Sequence, residues 1–124
     1  MNTVGYIARK NYVKYDNEHY LLYLNEEAAE VMANPETKET VPGYNYTGRE
    51  ADGSTKICAC DVTDENRRDK FIAGLIGNEF DMDAQIAILA NGGDTDEHAE
   101  EMARFKEYRT MCKSAVDELL SRNL

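Results

Sequence analysis

The chain of 124 residues carries 24 Asp and Glu against 14 Lys and Arg, a formal charge of -10, with 42% hydrophobic residues, eight Tyr and no Trp. That length suits one hydrophobic core that needs neither disulfide nor metal, and the acidic field repels phosphate backbones and anionic lipid, which argues against nucleic-acid and membrane partners. No apolar run approaches the roughly 20 residues that span a bilayer, and three Cys without regular spacing make no disulfide framework.

The opening MNTVGYIARKNYVKY has no uninterrupted apolar stretch followed by a small-residue cleavage site, so the expected location is cytoplasmic. Within residues 6–24, NYVKY and HYLLYL are rich in Tyr, Val and Leu, and Asp16-Asn17-Glu18 between them supplies turn chemistry; the expectation is a β-hairpin. Asn25 then reads as the cap of a short helix, with Glu26 and Glu27 at its positive end, Ala28, Ala29, Val31 and Met32 continuing it, and Asn34-Pro35 stopping it. PETKETVPG, with two prolines and no periodicity, reads as an exposed loop over residues 35–43.

YNYTGREADGSTKICACDV predicts a second hairpin, because two β-prone runs flank Gly48 and an Asp52-Gly53 pair that accepts positive φ. Alternation in its second strand sets Lys56, Cys58, Cys60 and Val62 on one face and Thr55, Ile57, Ala59 and Asp61 on the other. From Thr63 the period changes. Thr63 is the expected cap of a helix with Asp64 and Glu65 in its first turn and Phe71, Ile72, Leu75 and Ile76 on its core face, ending at Gly77 or Asn78. Asp81 caps the next, whose Met82, Ile86, Leu89 and Ala90 share a stripe, and Gly92-Gly93 breaks it. A last helix opens at Asp94, with Glu97 three positions on, and runs through Met102, Phe105, Met111, Cys112, Ala115, Val116, Leu119 and Leu120 nearly to the C-terminus. At roughly 40 Å it exceeds the width of a small domain, which points to a projecting end or a homodimer through this helix.

Strands first and helices after predict an α+β fold: N-terminal antiparallel hairpins forming a small sheet, then a helical half with a long terminal amphipathic helix. Residues 1–124 are expected as a single domain, with 1–62 mainly β plus one short helix and 63–124 α-helical.

Little in the sequence carries chemistry. Cys58 and Cys60 lie about 7 Å apart on one strand face, whereas structural zinc takes C-x2-C at a turn, and the remaining soft ligands, Cys112, His19 and His98, fall in distant elements. ICAC therefore reads as a core strand with its thiols packed as small hydrophobes. In NGGDTDEHAEE the acids Asp94, Asp96 and Glu100 fail the calcium-loop frame, since position six from Asp94 is Ala99 and position twelve is Phe105; helix capping explains them. His19 and His98 sit beside no recognisable nucleophile, and no glycine-rich phosphate cradle is present. The sequence thus assigns no catalytic, metal or cofactor-binding residue and no cofactor. Tyr6, Tyr12, Tyr15, Tyr20, Tyr23, Tyr44 and Tyr46 gather in the sheet half, where cross-strand aromatic pairing is the expected role.

PGYNYTGREADGSTKI, FIAGLIGNEF and EEMARFKEYRTMCKSAVDELL, with the F-x-x-Y-R-x-x-C-K-like signature of the last, together resemble small uncharacterised proteins of gut Bacteroidales genomes and their prophages over residues 42–120. The terminal helix more distantly resembles the end of tail-fibre assembly proteins of tailed phages, although the chain lacks their Trp-rich stretches. The resemblance implies a mobile-element accessory protein and transfers no functional residue. The expectation is a non-enzymatic protein-interaction protein, structural or assembly-related and phage or prophage associated, with a protein partner. The alternative is an acidic inhibitor of a host enzyme that imitates nucleic acid; a third reading, an enzyme, requires a deep pocket holding His19 or His98 beside carboxylates.

Overall fold

The computed structural model describes all 124 residues. Six strands precede three helices: β1 (Asn2–Tyr6), β2 (Tyr12–Lys14), β3 (His19–Leu22), β4 (Glu27–Asn34), β5 (Glu39–Gly48), β6 (Thr55–Cys58), α1 (Arg67–Glu79), α2 (Met82–Asn91) and α3 (Asp96–Ser121). The fold is α+β, with two antiparallel three-stranded sheets, ordered β1-β5-β4 and β2-β3-β6.

The expected first hairpin is present as β2 and β3, with Tyr12 opposite Leu22 and Lys14 opposite Tyr20. Its turn is closed by backbone bonds from Tyr15 and Asp16 to the His19 carbonyl and by the Asp16 carboxylate, which accepts from the Glu18 N–H at 2.8 Å. β6 adds on the far side of β3, and its alternation turns Ile57 and, just beyond it, Ala59 inward. These residues and Leu22 pack on Phe71, Leu75 and Ile76 of α1 and on Phe105, Cys112, Val116 and Leu119 of α3, forming the core. Each fully buried Leu, Ile or Phe there contributes about 1.5–3 kcal/mol relative to exposure. Tyr12 and Tyr20 extend the core by setting their rings 5.1 and 5.2 Å from that of Phe71.

The helices follow the sequence with shifted ends. α1 begins after Asn66 rather than Thr63; Thr63 and Asn66 instead exchange bonds that close the preceding turn, and the helix continues through Gly77 and Asn78 to Glu79. Asp81 caps α2 by accepting from the Ala84 N–H at 2.7 Å. α3 starts at Asp96, capped by Thr95 rather than Asp94, and its 26 residues extend roughly 39 Å. No helix is long and apolar enough to cross a membrane.

The other sheet departs most from expectation. Residues 25–34 are not a helix: Asn25 takes a positive φ of 55° and the chain then runs as β4, paired with β5 from Glu27 opposite Asn45 to Asn34 opposite Glu39. Ala and Glu favour a helix locally, but that preference amounts to tenths of a kcal/mol per residue and yields to a full ladder of strand pairing. Nor is 35–43 a loop throughout, since a turn ending at Lys38 (φ 59°) leads directly into β5. Pro42 is accommodated because β1 reaches only as far as Tyr44, so β5 has one neighbour at Pro42 and needs no donor on its other side.

The expected second hairpin is absent as well. β5 and β6 belong to different sheets, and the Asp52-Gly53 turn, with Gly53 at φ +83°, passes the chain from one to the other. The crossing is tight: a Cβ on Gly48 would collide with the Ser54 carbonyl.

Candidate functional site

Two places concentrate unusual side-chain arrangements, and they differ in kind. The first is a polar junction where both sheets meet the end of α3. Glu26, its side chain 9% exposed, accepts from the Arg9 guanidinium at 2.8–3.2 Å and from the Tyr46 hydroxyl at 2.7 Å, and it faces Arg122 Nε at 3.5 Å. Arg122, 2% exposed, donates to the carbonyls of Lys10 and Tyr23 at 3.0 and 2.6 Å and to the Glu118 carboxylate. Burial works against the Glu26 anion, but the bonds from Arg9 and Tyr46 and the Arg122 charge together hold its carboxyl below the usual range. Burial, reinforced by Glu26, pushes the Tyr46 phenol up to about 12.

Alongside it, the rings of Tyr6, Tyr23 and Tyr46 pack edge to face or tilted at 5.6–6.1 Å, with Lys10 Nζ 4.5 Å from the centre of the Tyr6 ring. Tyr23 donates to the Asp52 carboxylate at 3.0 Å, Tyr6 to the Asp52 carbonyl at 2.7 Å, and buried Ser54 donates to the same carboxylate. Burial opposes the Asp52 charge, while its bonds from Ser54 and Tyr23 keep its carboxyl depressed. Each charged group of this junction is thus matched inside the molecule. Such an arrangement fixes geometry and leaves no group aimed at a ligand.

Against the expectation that His19 falls in a distant element from the cysteines, strand pairing brings His19, Cys58 and Cys60 to one open hollow of about 410 Å3 with Glu18 and Lys70, while Cys112 and His98 lie elsewhere. His19 stands opposite Cys58 in the β3/β6 register, and its Nδ1 lies 2.9 Å from the Asp16 carboxylate. Cys58 and Cys60 do not pack as core thiols: both are exposed, because the inward positions of the alternation belong to Ile57 and Ala59. Cys112 is buried, and burial raises its thiol. All three cysteines are free, and no three His, Cys, Asp or Glu side chains gather as a ligand set for a metal ion. His98 is hydrogen-bonded to Asp94 at the exposed start of α3; that bond, with Glu101 and Glu97 nearby, raises its imidazole pKa. The remaining tyrosines serve local packing, Tyr15 lying under Lys56 Nζ at 4.0 Å and Tyr44 under the Arg9 guanidinium at 5.5 Å.

The second place is the outer side of the helical half. α2 has apolar residues on more than one side, and a single buried residue, Ile88, seats it on the core. The stripe shared by Met82, Ile86, Leu89 and Ala90 points to solvent, with Met82, Ile86 and Leu89 exposed to 67, 58 and 59%. Ile88 lies about 200° around the helix from Ile86, so only one of the two faces can be buried. Beside this ridge a groove of about 590 Å3 runs between α1, α2 and α3, with Ile72, Ile76 and Phe105 in its floor and Met82 and Leu89 along one side. Arg68, Arg109, Lys113 and one carboxylate, Asp69, which lies 3.7 Å from Arg68, line the same groove. Arg68 is held by Asp117 at 2.6 and 3.1 Å, whereas Arg109, 5.9 Å over the Phe105 ring, and Lys113 have no carboxylate within 4 Å.

No family model, curated protein or solved structure matches the chain. The junction was hidden from sequence reasoning, because Arg9, Glu26 and Arg122 meet only through the fold. The groove had a visible signal in the apolar run Ile86–Ala90, which exceeds what one buried face requires.

Proposed function

We propose that this protein is a non-enzymatic interaction protein, a structural or assembly accessory of phage or prophage origin, and that it docks a protein partner on the outer face of its helical half. The single observation that carries this reading is the row Met82, Ile86 and Leu89, three large apolar side chains more than half exposed on one helix face. Scattered apolar residues are ordinary on a surface, but an aligned row beside an apolar groove is the form that protein-binding sites take. Two further features support a binding role over chemistry: the polar junction is closed upon itself, and both histidines pair with an adjacent carboxylate, His19 in an open surface hollow and His98 at the exposed start of α3.

Imitation of nucleic acid takes second place. The acids Asp94, Asp96, Glu97, Glu100 and Glu101 crowd the start of α3, yet Arg104, Lys106, Arg109 and Lys113 follow along the same helix and break any continuous acidic face. The test is affinity capture from prophage-carrying cells with the wild-type chain and with Leu89→Glu, identifying the partner and measuring its affinity for both. A defined partner bound by the wild type and lost with Leu89→Glu is the expected result. A strict monomer at high micromolar concentration that captures no partner overturns the reading.

A further inference from the structure

We infer that the groove between α1, α2 and α3 receives an amphipathic helix of a partner protein whose apolar row is flanked by acidic residues one turn apart. The inference rests on the docking role proposed above and adds the chemistry of the occupant.

Three observations lead to it. The floor and one side of the groove are apolar, formed by Ile72, Ile76, Phe105, Met82 and Leu89. All its walls are helices, whose backbone groups are already bonded, so an extended peptide would lose hydration of its own N–H and C=O groups and gain no ladder in return. A helix arrives with those groups satisfied and presents apolar side chains at i, i+3 or i+4, and i+7, the spacing that meets a ridge built as Met82, Ile86 and Leu89.

Charge then selects among helices. In a chain of net charge -10, Arg109 and Lys113 are left without a carboxylate partner at this groove, while nearby Arg68 has Asp117. Arg109 and Lys113 are four residues apart on α3 and therefore about one turn apart in space. Two carboxylates one turn apart on an incoming helix match them, and a basic helix would oppose them. A second copy of this chain is the weaker occupant, since it brings ten further negative charges and its α2 has only Asp83 on the exposed face.

The probe is an amphipathic peptide of about 18 residues, long enough to hold a helix when bound, with Leu at the apolar spacing and two Glu one turn apart, compared with the same peptide bearing Lys in place of Glu. Fluorescence anisotropy with the full chain should give at least about tenfold tighter binding of the Glu peptide. The double variant R109E/K113E should reverse that preference, and Leu89→Glu should abolish binding of both. Binding that ignores the peptide charge, absence of binding by either peptide, or preference for the Lys peptide overturns the inference. In any of these cases partner capture through Leu89 is still measured separately and still decides the docking role. Sedimentation equilibrium completes the test: a dimer dissolved by Leu89→Glu would mean that a second copy fills the face, and the inference fails.

Discussion

The junction around Glu26 and the outer face of α2 treat their difficult groups in opposite ways. At the junction, charges are taken out of water and each is met by a counter-charge, a hydroxyl or a carbonyl, so that Arg9, Tyr46 and Arg122 converge on one carboxylate. On α2, large apolar side chains are left in water, and of the cations beside them Arg109 and Lys113 have no carboxylate within 4 Å, although Arg68 is held by Asp117. The first region is complete as it stands and joins two sheets to the end of α3. The second, on the docking role proposed above, is completed by a partner. Buried charge here is a matter of architecture, and exposed apolar surface is where recognition is to be sought.

Three tests separate these roles, in descending order of effect. Glu26→Ala leaves Arg9 with no carboxylate and the buried Arg122 with Glu118 alone, and should lower stability by about 3 kcal/mol, measured by urea unfolding. A loss under about 1 kcal/mol would show that water replaces the carboxylate and that the junction is not the tie between the sheets and α3.

Acid should act at the same point. The folded-state pKa values of Glu26 and Asp52 lie below the ordinary 4.5 and 3.8, so their contribution is present above those values and disappears as pH falls through the depressed ones. Unfolding free energy should therefore decline as pH is lowered below about 4.5, and Glu26→Gln should be destabilised at neutral pH yet lose less on acidification. Equal pH slopes for the two proteins would remove Glu26 from the account.

The smallest effect on folding is expected at the other region. Ile86→Glu and Leu89→Glu place charges where the side chain is already solvated, so thermal unfolding should stay within about 0.5 kcal/mol of wild type. A large destabilisation would mean that these residues hold the fold, and the contrast between the two regions would collapse.

Much of the helical half was legible from sequence, because its signals are local: Asp81 before an apolar run caps α2, and the recurrence of Phe105, Cys112, Val116 and Leu119 marks the inner side of α3. β2 and β3 were legible for the same reason, a polar turn between two β-prone runs. The β1-β5-β4 sheet was not, since EAAEVMAN is a helix former on its own and becomes a strand only through pairing with residues 39–45. ICAC misled by one position of the alternation: the apolar residues between the cysteines, not the cysteines, took the core. In α2 the apolar residues were plain, but a helix with apolar residues on more than one side does not reveal which face turns inward. Ile88 made that choice, and it placed Met82, Ile86 and Leu89 outside.

A photo-crosslinking residue introduced at position 86, and separately at exposed Met32 of β4, compares the two halves directly in cells that carry the partner. Discrete crosslinked protein from position 86 and none from position 32 is the predicted outcome. Crosslinks from position 32 alone would place recognition on the sheet and contradict the account.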